Sequence, residues 1–465
     1  MSQRAFMTGT ISYPARCAVW ALACGLGLLW TTHGEETNAV ARLKHPISWL
    51  TWGMDWRWRE EYYHNARTLG GYVPGYSDNE HHYQRYRTRL WATISPAPEL
   101  DFDGGAVWEF RTYLEPQSEP FFTPNEIFTE RLAVRLKELG PFQLTVGRQN
   151  LHFGNRWLIW DGTPRDGSRT DCFDAARLTW TWPGLHIAVD VIYFDLRADS
   201  DSRLPRVNPY EGYRYLIEQN ERGLILYVQN RALPDTQLDA YGIYRHQSPV
   251  PYTEETDFAS DGGDGYLFGA RAEGRFSECW RYRTEFAVEL GRKNARGMTA
   301  FGINSQLSYC LNDAWNNTFR IVHEYLSGDD PDSPTDEGWD PMWGRRGSWS
   351  SLMVQTLRVE NGDRPGYWTN LQRVGTGWGV QPTRRAEMQW DYMAVFANSN
   401  PLRGQPGYSA NGRFRGHLFA GLLKFTINQH LAGHLRGECL LPGDYYADDR
   451  RHAAFLFRAE LLLSL

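Results

Sequence analysis

Forty-five arginines and only four lysines (Lys44, Lys137, Lys293 and Lys424) stand in a chain of 465 residues. A guanidinium stays charged and presents a planar fork of donors that matches a carboxylate, whereas an ammonium is a point charge. Many arginines recur at every second position: Arg57 and Arg59, then Arg85, Arg87 and Arg89, then Arg281 and Arg283. Carboxylates share that phase, among them Asp55, Asp101, Asp103, Glu109, Asp190, Glu285, Glu324, Glu438 and Glu460. Two chemistries follow. One is an electropositive track along which a carboxylate-bearing polymer steps from site to site. The other is a ladder of Arg–Asp and Arg–Glu pairs that fills and stiffens an interior. Most of these residues are expected in the ladder, and a minority at a ligand.

Period-two spacing calls for strands, because successive side chains of a strand point to opposite faces. In Trp280–Gly291, Trp280, Tyr282, Thr284, Phe286, Val288 and Leu290 form one face, while Arg281, Arg283, Glu285, Ala287 and Glu289 form the other. The same two-sided pattern recurs along the chain. The expected strands include Met54–Tyr63, His82–Ser95, Asp101–Leu114, Ile127–Leu136, Phe142–Leu151 and Ala175–Trp182, and they continue to Ala453–Ser464. Leu238–Gln247 and Tyr367–Trp378 carry the weakest pattern. Tight connections such as 137–141, 183–184 and 277–279 alternate with long ones such as 152–174, 195–222 and 327–347. Short periplasmic turns and long extracellular loops are the habit of outer-membrane barrels. Counting strands with that rhythm gives about 18. The expected fold is all-β: a single transmembrane antiparallel up-and-down barrel, apolar residues turned to lipid and charged ones lining a lumen. Within 327–385, Ser348–Glu360 is expected as loop with room for a helix.

Composition agrees. The mean hydropathy of −0.56 suits a barrel in which only alternate residues meet lipid. Twenty Trp, 25 Tyr and 22 Phe suit aromatic girdles. Residues 1–34 read as a secretory signal peptide, with Arg4 and Arg16 before and around the apolar run Cys17–Trp30. Residues 35–53 read as a linker, and 54–465 as the barrel. Export leaves Cys172, Cys279, Cys310 and Cys439, whose spacing suits no metal site. Cys279 and Cys310 flank a predicted hairpin, so a disulfide between them is one expectation and two free thiols the other. There is no Gly-x-Ser-x-Gly elbow and no distinctive carboxylate pair, and the His81-His82 pair is a poor metal signature, so neither an enzyme nor a cofactor is expected. Nothing suggests nucleic acid as a partner.

At Leu144–Asp161 the chain reads Leu-Thr-Val-Gly-Arg-Gln-Asn-Leu-His-Phe-Gly-Asn-Arg-Trp-Leu-Ile-Trp-Asp, and Trp-Arg-Trp-Arg-Glu opens the first strand at Trp56–Glu60. With these stretches the sequence resembles the bacterial alginate export family of outer-membrane porins. The resemblance implies an 18-stranded barrel that passively exports an anionic exopolysaccharide through an arginine-lined constriction near Arg148, Arg156, Asp161 and Arg165. Together with the strand phase, it sets Arg87, Arg89, Arg111, Arg131, Arg148, Arg156, Arg165, Arg281, Arg283 and Arg458 as candidate pore-lining residues. Expected partners are the anionic polysaccharide, outer-membrane lipid, and periplasmic and inner-membrane secretion components, with the barrel a monomer. An uptake porin for small anions or acidic oligosaccharides would share this pattern, and an outer-membrane enzyme is the third reading. One conflict stands out. Gln143, Thr145 and Gly147 occupy the inward phase, which places Arg148 on the lipid phase. A charge there costs roughly 2–4 kcal/mol at the bilayer midplane. Either a bulge near Gly147 reverses the phase, or the motif lies above the hydrocarbon band.

Overall fold

The computed structural model describes residues 42–71, 79–115, 127–160, 172–198, 204, 219–250, 260–344, 349–362 and 367–465. Eighteen long antiparallel strands pair in chain order, and the last closes on the first. They run from β1 (Leu50–His64) and β2 (Glu80–Ala97) through β3 (Leu100–Glu115), β4 (Ile127–Leu139), β5 (Phe142–Gln149) and β6 (Phe173–Trp182). Next come β7 (Ile187–Leu196), β8 (Glu221–Asn230), β9 (Thr236–Gln247), β10 (Gly263–Arg275), β11 (Trp280–Lys293), β12 (Arg296–Cys310) and β13 (Thr318–Leu326). A two-residue strand β14 (Thr335–Asp336) adds to β12 in parallel and stands outside the barrel count. The circle ends with β15 (Leu371–Thr383), β16 (Ala386–Phe396), β17 (Phe414–Thr426), β18 (Leu431–Pro442) and β19 (Ala454–Ser464). Closure is by Asp55↔Ser464 through His64↔Phe455. A closed barrel leaves no sheet edge, which is what a backbone in hydrocarbon requires.

The alternation sorts the side chains as the pattern predicts. Along β1 burial switches residue by residue, with Asp55, Arg57, Arg59 and Glu61 buried. On the outside, Leu90, Leu132, Val146, Phe268, Phe286, Phe319, Trp390 and Phe457 are exposed. This is a polar interior behind an apolar shell, the inverse of a water-soluble sandwich.

Two boundaries move where the pattern was weakest or ended early. β1 starts at Leu50 rather than Met54, because Leu50–Gly53 still find partners in Trp91–Ile94 of β2. β15 lies at Leu371–Thr383, later than the expected Tyr367–Trp378, because its pairing with β13 runs from Leu326↔Leu371 to Thr318↔Gly379. The rhythm of loops also has one exception. β11 and β12 join at the long-loop end through Asn294-Ala295 alone, both at positive φ (47° and 64°), the geometry of a tight hairpin turn. The expected leader, 1–34, lies outside the described residues.

The lumen is not empty. The segment after β5, 150–160, turns inward: Phe153 N–H donates to Ile159 O at 3.2 Å, and Trp343 N–H to Leu158 O at 3.1 Å. The segment after β13 follows it, and the helix α1 (Leu352–Glu360) lies against β18 and β19. Leu151, Phe153, Leu158, Ile159, Trp339, Met342, Trp343, Leu352, Met353 and Leu357 bury themselves with Phe173 and Phe194 of the wall. The barrel therefore contains an apolar plug at its long-loop end.

Candidate functional site

Cross-strand register decides what each inward arginine meets, since directly opposite side chains share a face. At the seam where β19, β1 and β2 meet, acids and arginines interleave. Arg59 Nε donates to Glu460 at 2.6 Å, Arg458 Nε to Glu61 at 2.7 Å, and Arg85 to Glu61 at 3.0 Å. Arg87 and Arg89 share Asp55 at 3.3 and 2.8 Å, and Arg89 also reaches Glu130 at 3.4 Å. The ladder goes on around the wall with Arg135–Asp103, Arg177–Asp190, Arg271–Asp239 and Arg373–Glu324, all within 2.9 Å. Arg320 holds Asp391 through both Nε and Nη2 at 2.7–2.9 Å.

Arg148 escapes its predicted cost without a bulge in its own strand. Its pairing stays in step, opposite Leu132 and Asp174. Gly147 takes φ +124°, closed to L side chains, and a Cβ there would sit 2.3 Å from Leu132 O. The irregularity is in β4, where register slips between Gly105 and Ala106 of its partner β3. Arg148 is buried and neutralised: Nε and Nη2 hold Asp174 at 2.7 and 2.9 Å, and Nη1 donates to Thr129 O at 3.1 Å. It borders a cavity of about 200 Å³ shared with Arg131, Thr145, Gln149 and Arg177.

The face built by β11 and β12 differs. Arg281 is opposite Ser308, and Arg283 is opposite Gln306. On its other side Arg283 meets Glu273, but Glu273 is held by Arg271. Among the described residues, neither Arg281 nor Arg283 has a carboxylate within ion-pair distance, and the buried Nε of Arg283 finds no hydrogen-bond partner. Arg283 looks into a central cavity of about 350 Å³ that also meets Arg156, Arg320, Arg373, Arg436 and the indoles Trp157, Trp160 and Trp339. Glu324 and Asp391 line the same space, so five arginines meet two acids there.

The remaining candidates fall in different places. Arg111 donates to Tyr113 at 3.2 Å and lies 5.1 Å over the Tyr83 ring. Arg131 lies 5.8 Å over the Trp91 ring and has no carboxylate within ion-pair distance among the described residues. Arg156 sits at φ +63° in the inward segment. Arg165 and Asp161 lie outside the described residues. Cys310 N–H donates to Cys279 O at 2.8 Å, so the predicted neighbourhood holds, but both thiols are free. Each sulfur is engaged separately, Cys279 with Asn312 and Cys310 with Thr318, at 3.7 Å. The disulfide expectation gives way to the free-thiol one.

Residue patterning missed how the plug is held. Trp343 fits edge-on between Phe173 and Phe194 and donates to Glu221 at 2.9 Å. Asp340 takes Arg245 at 2.6 Å and Lys293 at 3.2 Å. Trp157 stacks on Trp339 with centroids 5.1 Å apart and donates to Glu324 at 3.1 Å. Glu438 of β18 receives the Ser351 and Leu352 N–H groups at 2.9 and 3.1 Å, capping α1 where an anion is favoured. At the other end Glu360 receives Arg415 at 2.6 Å and the Tyr446 hydroxyl at 2.7 Å. Burial, and then that carboxylate, push the Tyr446 hydroxyl well above its usual pKa. The only warning in the sequence was the tryptophan density of 339–349 in what read as a loop.

The model of the alginate export family matches residues 48–455. No curated protein matches the chain. Among solved structures it is similar to OpdO of Pseudomonas aeruginosa, with a TM-score of 0.55 and 13% identity over 90% of this chain and 98% of that one. OpdQ of the same organism gives 0.54 and 10%, over 90% and 99%. OpdK gives 0.52 and 12%, over 89% and 98%. At these identities the likeness is one of fold. Taken with its closed, charge-lined barrel, the match over nearly the whole length shows that the chain belongs to the alginate export family and is an outer-membrane porin.

Proposed function

We propose that this porin passes an anionic exopolysaccharide, alginate or a similar polyuronate, outward and without an energy source of its own. The observation that carries this reading is the β11–β12 face, where Arg283 borders the central cavity with no carboxylate within ion-pair distance among the described residues, the acids of that cavity, Glu324 and Asp391, being held by Arg373 and Arg320. A conducting path needs several moderate sites rather than one tight one. Arg283 with Arg131 would supply such sites, while the ion-paired arginines shape the wall. On this reading 1–34 is the leader that directs export, and a periplasmic conduit and an inner-membrane synthase deliver the polymer. The work is conduction rather than catalysis.

The plug favours a second reading. In the closed arrangement, the central cavity of about 350 Å³ suits a small anion better than a threaded polymer. One fold neighbour, OpdK, has been solved with vanillate (11% identity, TM-score 0.52). Uptake of small organic anions is therefore the competing function. Efflux from proteoliposomes separates the two. Loaded polymannuronate should leave faster than neutral dextran of equal length. Release of short acidic sugars or aromatic acids alone, with the polymer retained, would favour uptake and contradict export.

A further inference from the structure

The outer wall carries a groove that transport through the lumen does not use. One register row can be followed across nine strands. It begins Trp280↔Tyr309↔Phe319↔Trp378↔Trp390, crossing β11, β12, β13, β15 and β16. It continues through Gly421↔Gly437 on β17 and β18, and ends Phe457↔Tyr62 on β19 and β1. Barrel strands tilt by about 35–45°, so a row at right angles to them climbs. It starts at the short-turn end, where Trp280 opens β11, and finishes near the long-loop end, where Tyr62 lies close to the end of β1. Every large residue in it is aromatic, and the two glycines are consecutive. The next row repeats the motif with small Thr376 and Cys439 beside Tyr392, Phe419 and Phe455.

The gap is real space. A Cβ at Gly437 would meet nothing within 4 Å, and one at Gly421 only Trp390 at 3.9 Å. The groove between the aromatic flanks, open to the outside, holds about 1010 Å³, at the upper end of the roughly 300–1,000 Å³ typical of small-molecule sites. The groove is continuous with the lipid-facing band, since Phe319, Trp378, Trp390, Phe419, Phe455 and Phe457 are all exposed there. No charged side chain on its outward phase offers a polar ligand a partner. A second copy is a poor occupant, because a two-fold dimer sets the same patch against itself. Two concave faces would then enclose a void.

We propose that this groove holds one acyl chain of a bilayer phospholipid as a bound, rather than merely annular, lipid. The chain lies along the middle of the climbing aromatic row, from Trp378 and Trp390 over Gly421 and Gly437 to Phe457, four strand spacings of about 4.8 Å each. The aromatic edges hold it from both sides, and the missing side chains let it approach the backbone.

The test uses the full-length protein in phosphatidylethanolamine–phosphatidylglycerol nanodiscs containing an acyl-diazirine phospholipid. Cross-links are expected to concentrate on peptides of β15–β19, at least five-fold above those on the opposite wall around Leu224 and Leu226. In native mass spectrometry, wild type should keep one phospholipid through detergent exchange. The doubly filled variant Gly421→Leu/Gly437→Leu should lose it at least five-fold more readily, with heat-modifiable mobility and conductance unchanged. Cross-links spread evenly around the barrel, equal retention by wild type and variant, or a chemically trapped dimer through this face would each overturn the proposal. If the variant fails to assemble, the cross-link distribution on wild type decides alone.

Discussion

Two stretches of the same lumen use arginine in opposite ways. At the β19–β1–β2 seam, Arg57, Arg59, Arg85, Arg87 and Arg458 are buried and interleaved with Asp55, Glu61 and Glu460. On the β11–β12 face, Arg281 and Arg283 look across at Ser308 and Gln306. The residue type is the same, and the cross-strand partner differs. A carboxylate in reach, opposite as Glu460 is to Arg59 or diagonal as Glu61 is to Arg85, makes the guanidinium a structural tie at the closure of the barrel. Where the neighbouring acid is already taken, as Glu273 is by Arg271, the charge stays available to a passing anion. The arginine content alone therefore overstates the transport surface. Register separates the tie from the site.

Breaking the seam should have the largest effect. Glu61→Ala strips Arg85 and Arg458 of their shared carboxylate, and removing one partner of a buried pair costs about 3–5 kcal/mol. Urea unfolding in detergent micelles should shift by that amount. A shift under 1 kcal/mol would mean that the seam is wetter than its burial shows. Next is the plug, which belongs to neither stretch. Trp343→Ala empties the slot between Phe173 and Phe194, a loss of about 3 kcal/mol for a buried aromatic. It should raise single-channel conductance, and an unchanged trace would show that this segment does not obstruct the path.

Smaller again is Glu438→Gln, which removes the anion from the start of α1. Caps of this kind are worth about 1 kcal/mol. Protease accessibility of 349–362 should rise while the barrel's heat-modifiable mobility stays as in wild type. Arg283→Gln should have the least effect on stability, within about 0.5 kcal/mol as for substitutions that break no pair, yet the greatest effect on anion preference. The matching change at the seam, Arg85→Gln, should reverse that order.

Period-two alternation carried the strands, their number and the inward phase of most arginines, because a half-lipid, half-water wall imposes that period everywhere. It could not carry the plug. Trp343 and Glu221 are 122 residues apart, and Ser351 and Glu438 are 87 apart. No local pattern encodes which long loop turns inward. Arg148 shows the limit within one strand: its lipid phase was readable, but Asp174 as its neutralising partner depends on the β5–β6 register. For the same reason Arg320, Arg373 and Arg436 could be placed on the inward phase but not around the central cavity. The free thiols of Cys279 and Cys310 show that adjacency across a hairpin is necessary for a disulfide but does not suffice.

The most direct test of the division between tying and conducting arginines is the zero-current potential across a planar bilayer under a salt gradient. It should be read for wild type, Arg283→Gln and Arg85→Gln, before and after adding an oligouronate. Wild type and any assembled Arg85→Gln should be anion-selective and blocked by the oligouronate, and Arg283→Gln should lose most of both properties. Selectivity and block unchanged in Arg283→Gln would contradict the assignment of the β11–β12 face as the conducting surface.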